Sequence, residues 1–310
     1  MAALESEIKV IFEDTDDMCS TLIKGNLIGH GGSGSVFECT SHEDIVIKVS
    51  NDRFGPSHIE SLKQYFALTE NNSLVIDLPI DSSAVLEYIV YVSLMHIEDT
   101  RHITRLRAFY IENNRPNLAI EKLDTDFRGL PRALGRRLTE EDTRTVLFQV
   151  LYSLYITHGL DFNHRDLIRK NIMFKLVPVA DEDYMVGPTH FKMSNRGFHF
   201  KLVDFDLSRI TPRPGVNIYN TSTSRRRYNS EHVTYANSID VCKAICNPRF
   251  VDTRSDPFIA NICDHATADG CKFAPRGGWP AIPPYPDLSP RKILLSDFFK
   301  WGHAAHIAPA

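Results

Sequence analysis

The chain has 310 residues, 43% of them hydrophobic and 24% charged, an ordinary balance for a globular protein. That length is large for one core and suits two lobes. A formal net charge of −4 argues against general nucleic-acid binding, and no apolar run reaches the roughly 18 residues of a membrane span.

Residues 1–20 read as a short acidic lead-in without the basic n-region of a signal peptide. The six cysteines are scattered at Cys19, Cys39, Cys242, Cys246, Cys263 and Cys271 and form no disulfide framework for a chain of this size. An intracellular, reduced protein is expected. Residues 27–37, LIGHGGSGSVF, set Gly29, Gly31, Gly34 and Val36 in a G-x-G-x-x-G-x-V pattern. Glycines there let backbone amides approach phosphate oxygens with no Cβ in the way. In a dinucleotide fingerprint the third glycine would open a helix. Here it opens strand-like Ser-Val-Phe-Glu-Cys, so a hairpin is predicted. A β-branched strand over 45–48 then ends on Lys48, a cation for the α- and β-phosphates.

Thr139 followed by Glu140, Glu141 and Asp142 predicts a helix start, with a threonine cap and acids in the first turn. Val146, Leu147, Val150, Leu151, Leu154 and Tyr155 recur at helical spacing up to Gly159. This helix leads into HRDLIRKNIM, 164–173, where Asp166 and Asn171 stand five residues apart. Asp204 follows an apolar run over 200–203 that reads as a buried strand. Phosphoryl transfer from a nucleoside triphosphate needs this set of oxygens. One carboxylate takes the proton of the attacking hydroxyl, while a second carboxylate and an amide oxygen hold magnesium on the phosphates.

In order and spacing these motifs resemble the protein kinase superfamily, over most of the chain. The resemblance implies an α+β bilobal fold in a single domain over 21–310. A small antiparallel-sheet lobe would span 21–123 and a mainly helical lobe 124–310. It implies ATP and Mg2+ as cofactors, Asp166 as the base, and Asn171 and Asp204 as metal ligands. Arg165 and Lys170 would flank the base in the catalytic loop. Gly29, Gly31, Gly34, Val36, Val46 and Lys48 would surround the nucleotide. Residues 117–127, NLAIEKLDTDF, resemble the strand and hinge that carry adenine, with Ile120 as gatekeeper and Glu121 and Leu123 in the hinge. Lys48 then needs a carboxylate partner on a helix. Glu87 in SSAVLEYIVYVSLMHIE is favoured, because Val85, Ile89, Val92, Met95 and His96 form a broad apolar face. Glu60 is its rival and Glu98 a distant third. The span from Lys48 to Glu87 exceeds the usual one, so 51–80 is expected to hold an insertion.

Departures from the pattern narrow the reading. Asp206 stands where the family has glycine, the closing A-P-E motif is missing, and 178–197 looks like an insert. With NSIDVCKAI at 237–245, these features resemble haspin-like kinases, in which Asp240 would buttress the catalytic loop. SPRKILLSDFF, 289–299, instead resembles the last helix of ordinary serine/threonine kinases, and the compact, divergent chain resembles kinases of large DNA viruses. Ile168 replaces the lysine that serine/threonine kinases carry two residues after the base, leaving Arg169 or Lys170 to supply charge near the γ-phosphate.

Serine/threonine transfer to protein substrates is the expected activity, with no membrane or direct nucleic-acid partner. The alternatives are a pseudokinase that binds nucleotide without transfer and a tyrosine or dual-specificity kinase. Arg225, Arg226 and Arg227, flanked by Ser222, Thr223, Ser224, Tyr228 and Ser230, read either as a docking or autophosphorylation patch or as a solvated loop. Cys242, Cys246, Cys263, His265 and Cys271 lack zinc-ligand spacing and are expected to be core residues.

Overall fold

A computed structural model describes residues 21–70, 76–167, 169–213, 216–220 and 290–295. Asp240, the arginines at 225–227 and the cysteines at 242, 246, 263 and 271 lie outside the described residues, as do residues 1–20. The rest divides into two compact units. Of the described residues, one takes those within 21–100, 104–123 and 204–220, and the other those within 101–103, 124–203 and 290–295. The described stretch from Asp204 onward goes with the first unit.

The first unit is built on an antiparallel sheet in the order β1-β2-β3-β6-β5: β1 (Lys24–His30), β2 (Gly34–Cys39), β3 (Ile45–Ser50), β6 (Arg115–Glu121) and β5 (Leu106–Glu112). Directly paired residues share a face. Val36 faces Lys48, Lys48 faces Leu118, and Val46 faces Ile120. One face therefore carries Val36, Val46, Lys48 and Ile120. The other carries Cys39, Ile45, Ile47, Ala108 and Ala119, which form a closed apolar cluster with Val49, Leu22 and Tyr110 against it. β3 is covered on both faces, which suits its β-branched sequence.

The expected insertion over 51–80 is helix α1 (Pro56–Glu70) and strand β4 (Ile76–Ile80). Helix α2 (Ser83–Leu94) follows directly. Ser82 caps it by accepting from the Val85 N–H, and Asp52 Oδ2 accepts from Ser82 Oγ at 3.0 Å and from Ser83 N and Oγ at 3.1 Å. A carboxylate at a helix N-terminus meets both the free N–H groups and the positive end of the dipole. α2 is buried nearly all round, so the single apolar face read from its sequence is too narrow a description. Val92 is only half-buried, and Met95 and His96 are exposed beyond the helix end. Its second covered side is a three-stranded sheet, β12-β13-β4, made by β4 with β12 (Arg209–Arg213) and β13 (Val216–Asn220). β12 and β13 pair antiparallel, and β13 pairs parallel with β4.

In the second unit a two-residue strand, β7 (Thr125–Asp126), is followed by a short helix α3 (Leu130–Ala133) and by α4 (Glu140–Thr157), the helix expected from Thr139 onward. Its start is a reciprocal cap. Asp142 N donates to Thr139 Oγ1 at 3.2 Å, and Thr139 N to Asp142 Oδ2 at 2.7 Å. Asp142 is more than a dipole charge, because it is fully buried and bonded by Arg136 and Arg196. These bonds hold its carboxyl far below the usual range, against the opposing effect of burial. β8 (Ile172–Leu176) and β11 (Phe198–Leu202) pair antiparallel, with β7 at the edge, and short helix α5 (Pro290–Leu294) packs on α4.

The expected insert at 178–197 is a hairpin of β9 (Asp181–Val186) and β10 (Thr189–Ser194). It is not a surface appendage. Its inward residues Tyr184, Val186 and Phe191 are buried, with the Tyr184 ring 5.0 Å from Phe148 and 4.9 Å from Tyr152 of α4. Beside them, Glu182 accepts from His199 at 2.6 Å, from Asn195 and Tyr184 at 2.9 Å, and from Arg101 at 3.2 Å.

Although burial alone would raise the Glu182 carboxyl, these partners pull it down to about 2. An unfolded glutamate titrates near 4.3, so on acidification the unfolded chain takes the proton first. The stabilisation from Glu182 is therefore complete above about pH 5 and lost as the pH falls through 4 toward 2. Urea midpoints at pH 6 and pH 3 should differ less in Glu182→Gln than in the wild type. An equal difference in both proteins would remove this cluster from the acid response.

Candidate active site

The first unit holds a buried charge cluster. Lys48 Nζ donates to Glu87 Oε2 at 2.7 Å and to Asp204 Oδ1 at 2.6 Å. Lys48 is 8% exposed and Glu87 1%. Burial opposes the ammonium charge, but Glu87, Asp204 and Asp206 outweigh it and raise Lys48 well above its ordinary value. Burial pushes Glu87 up to about 7 against the downward pull of Lys48. The rival Glu60 is exposed and takes a bond from Gln64, and Glu98 is exposed as well.

Asp204 has φ +67, a left-handed backbone that aspartate tolerates better than most residues and that turns its carboxylate to Lys48. Phe205 is fully buried and meets the Tyr91 ring edge-on at 4.9 Å. Tyr91 lies one turn after Glu87 on α2, and its hydroxyl is buried with no hydrogen-bond partner among the described residues. Burial first, then Glu87, Asp204 and Glu121, keep that phenol neutral. Asp206 is 8% exposed and is not among the residues with positive φ. A side chain is thus carried where the family has glycine, because the backbone there does not need one. Neither Asp52 nor Tyr91 was singled out from the sequence. The paired serines before α2 were the one local signal, marking a helix cap.

The Gly-rich segment forms the turn between β1 and β2, closed by Gly31 N donating to Gly34 O at 2.8 Å. A Cβ on Gly34 would stand 2.4 Å from the carbonyl oxygen of Val49, so only glycine fits against β3. Gly29 and Gly31 meet nothing closer than 3.6 Å. In the hinge, Glu121 N donates to Arg105 O at 2.9 Å and Lys122 N to Asp44 O at 2.7 Å. Leu123 is 9% exposed, and its N–H makes no bond among the described residues.

The second unit, taken by itself, holds the loop after α4. His164 is fully buried, and its Nε2 lies 2.9 Å from Val203 O. A carbonyl only accepts, so Nε2 carries the proton. Arg165 has φ +65, and such strained backbone in a non-glycine residue tends to mark functional loops. Asn171 Nδ2 donates to Asp166 O at 2.8 Å and to Asp166 Oδ2 at 3.0 Å, while Asn171 O accepts from Val203 N at 3.1 Å. With its amide nitrogen committed to Asp166, Asn171 has Oδ1 left as the atom able to face a cation. Asp166 is half-buried and Lys170 exposed.

Asn Oδ1 and the Asp204 carboxylate are hard oxygen donors of the kind magnesium takes, and the Asp204 side chain stays 22% exposed. Among the described residues no three His, Cys, Asp or Glu cluster in metal-binding fashion. A magnesium ion carried on phosphates needs only one or two carboxylates, and each unit taken by itself offers an oxygen of that kind. No described helix is long and apolar enough to cross a membrane.

A family model described as protein kinase domain matches residues 22–241. Among curated proteins the chain is similar to cyclin-dependent kinase 20 of Danio rerio, with 22% identity over 143 residues. That match takes in 46% of this chain and spans 36% of the relative's own length.

Proposed function

This chain belongs to the protein kinase family, and on that premise we propose that it transfers the γ-phosphoryl group of ATP to serine or threonine hydroxyls of protein substrates. The observation that carries the reading is the Lys48–Glu87–Asp204 cluster, which holds a buried cation ready for phosphate beside a carboxylate ready for a metal ion. In this reading Lys48 attends the α- and β-phosphates and Glu87 holds it in place. Asn171 and Asp204 hold Mg2+, which offsets phosphate charge. Asp166, steadied by Asn171, takes the proton of the attacking hydroxyl. Gly29, Gly31, Gly34, Val36, Val46 and Ile120 line the nucleotide. The hinge N–H groups of Glu121 and Lys122 are already committed within the protein, so Leu123 is the hinge donor for adenine. Arg165 shapes the catalytic loop, and exposed Lys170 stands in for the lysine missing at Ile168.

Serine/threonine specificity is supported by the lack of any tyrosine-kinase signature in the chain, and the similarity to a cyclin-dependent kinase accords with transfer to protein. The test is purified protein with labelled ATP, Mg2+ and generic protein substrates, followed by phosphoamino-acid analysis. Label on serine and threonine is expected. Label on tyrosine would move the specificity, and no label on any protein, itself included, would make the chain a pseudokinase.

A further inference from the structure

The strand pairing around α2 assigns the chain a built-in positioning device. Strand β4 ends at Ile80 and α2 begins at Ser83, so a two-residue link joins the sheet to the helix that carries Glu87. At the other end, Ser208 N donates to Phe205 O at 3.1 Å, and β12 starts at Arg209 directly after that turn. The element before Glu87 and the element after Asp204 are thus strands of one sheet. β13 lies in its middle, paired with β4 from Val216↔Ile76 to Asn220↔Ile80. Val216, Ile218 and Ile210 are buried, and α2 packs on β12, β13 and β4. Pro79, without an N–H, sits on the edge strand, where such a residue is tolerated. Lys48 closes the loop by holding Glu87 and Asp204 together. Asp52, four residues after Lys48, ties the end of the lysine strand to the start of α2.

We infer that the β4–β13 pairing, with Asp52 as a second anchor, positions Glu87 and Asp204 on Lys48 permanently, so that no phosphorylation of the segment after Asp204 is needed to assemble the site. Swinging α2 away would require breaking a five-residue ladder or reversing the two-residue link at 81–82. Ile218, Asp52 and their neighbours act through Glu87 and Asp204, as positioning residues. The activity arm of the test rests on the kinase reading, whereas the amide-exchange arm does not.

Ile218→Pro removes an N–H and inserts a ring in the central strand of this sheet. It is expected to lower kcat roughly tenfold or more, with a smaller change in KM for ATP, and to speed hydrogen exchange in the first turns of α2. Added to Glu87→Gln, it should cause no further loss, because both would act on the same pair. Asp52→Ala should show the same non-additivity with a smaller loss, and it serves where the proline variant fails to fold.

In the dephosphorylated, nucleotide-free wild type, the amides of β4, β13 and α2 should be protected together, and phosphatase treatment should leave most transfer activity in place. A well-folded Ile218→Pro with kcat within about twofold of wild type would overturn the inference. So would β13 amides exchanging like unstructured peptide, or a roughly tenfold activity loss on dephosphorylation. Wild-type protein with no transfer at all would count against the kinase reading alone, and exchange in α2 would still decide the clamp.

Discussion

Replacing Asp166 by asparagine should leave ATP binding close to wild type and cut turnover by about 100-fold or more, the scale of losing a general base. Asn171 donates to both the backbone oxygen and the carboxylate of Asp166, so the side chain is aimed rather than free to rotate. An asparagine could keep that hydrogen bond through its own carbonyl oxygen and preserve the loop. Only the capacity to accept a substrate proton disappears. The loss should therefore fall on kcat and leave thermal unfolding nearly unmoved. A variant that retains more than about a tenth of wild-type turnover would show that Asp166 is not the base.

The Lys48→Met, Glu87→Gln cycle should show losses that do not add. Lys48 and Glu87 are both buried, and each charge is maintained by the other against desolvation. Lys48→Met removes the cation shared by Glu87 and Asp204, and Glu87, already pushed up to about 7, would take a proton. Glu87→Gln leaves Lys48 paired with Asp204, so its loss should be the smaller of the two. The double variant should match Lys48→Met, giving a coupling of about 1–3 kcal/mol between the sites. Additive losses measured as kcat/KM would mean that the 2.7 Å contact is not used in turnover.

The residues with local signatures were legible in the sequence. The glycine turn needs its pattern because Gly34 lies against Val49, and the loop at 164–171 needs its polar set because Asn171 fastens Asp166. Glu87 could be preferred over Glu60 because a glutamate within an apolar helix has to find a cation. The strand pairing that fixes that helix was not legible. β4 and β13 lie far apart in the chain, and a parallel pairing leaves no turn signature between its strands. It covers a second side of α2, which is why the helix is apolar nearly all round and why Val92 and Met95 do not belong to its buried face. Asp142 read only as one of the first-turn acids, because its partners Arg136 and Arg196 come from outside the helix.

The β9–β10 hairpin changes what counts as dispensable in this chain. Judged by its sequence, 178–197 is the obvious stretch to excise when a minimal fragment is wanted. Yet Tyr184 and Phe191 are the neighbours that keep Phe148 and Tyr152 of the long helix dry. Trimming the stretch to a short linker would bare a wall of aromatic rings and yield sticky, misassembled protein rather than a leaner enzyme. Even the tip is fastened, since Gly187 turns there with φ +60 and its N–H donates to the Tyr155 hydroxyl of the long helix at 2.8 Å.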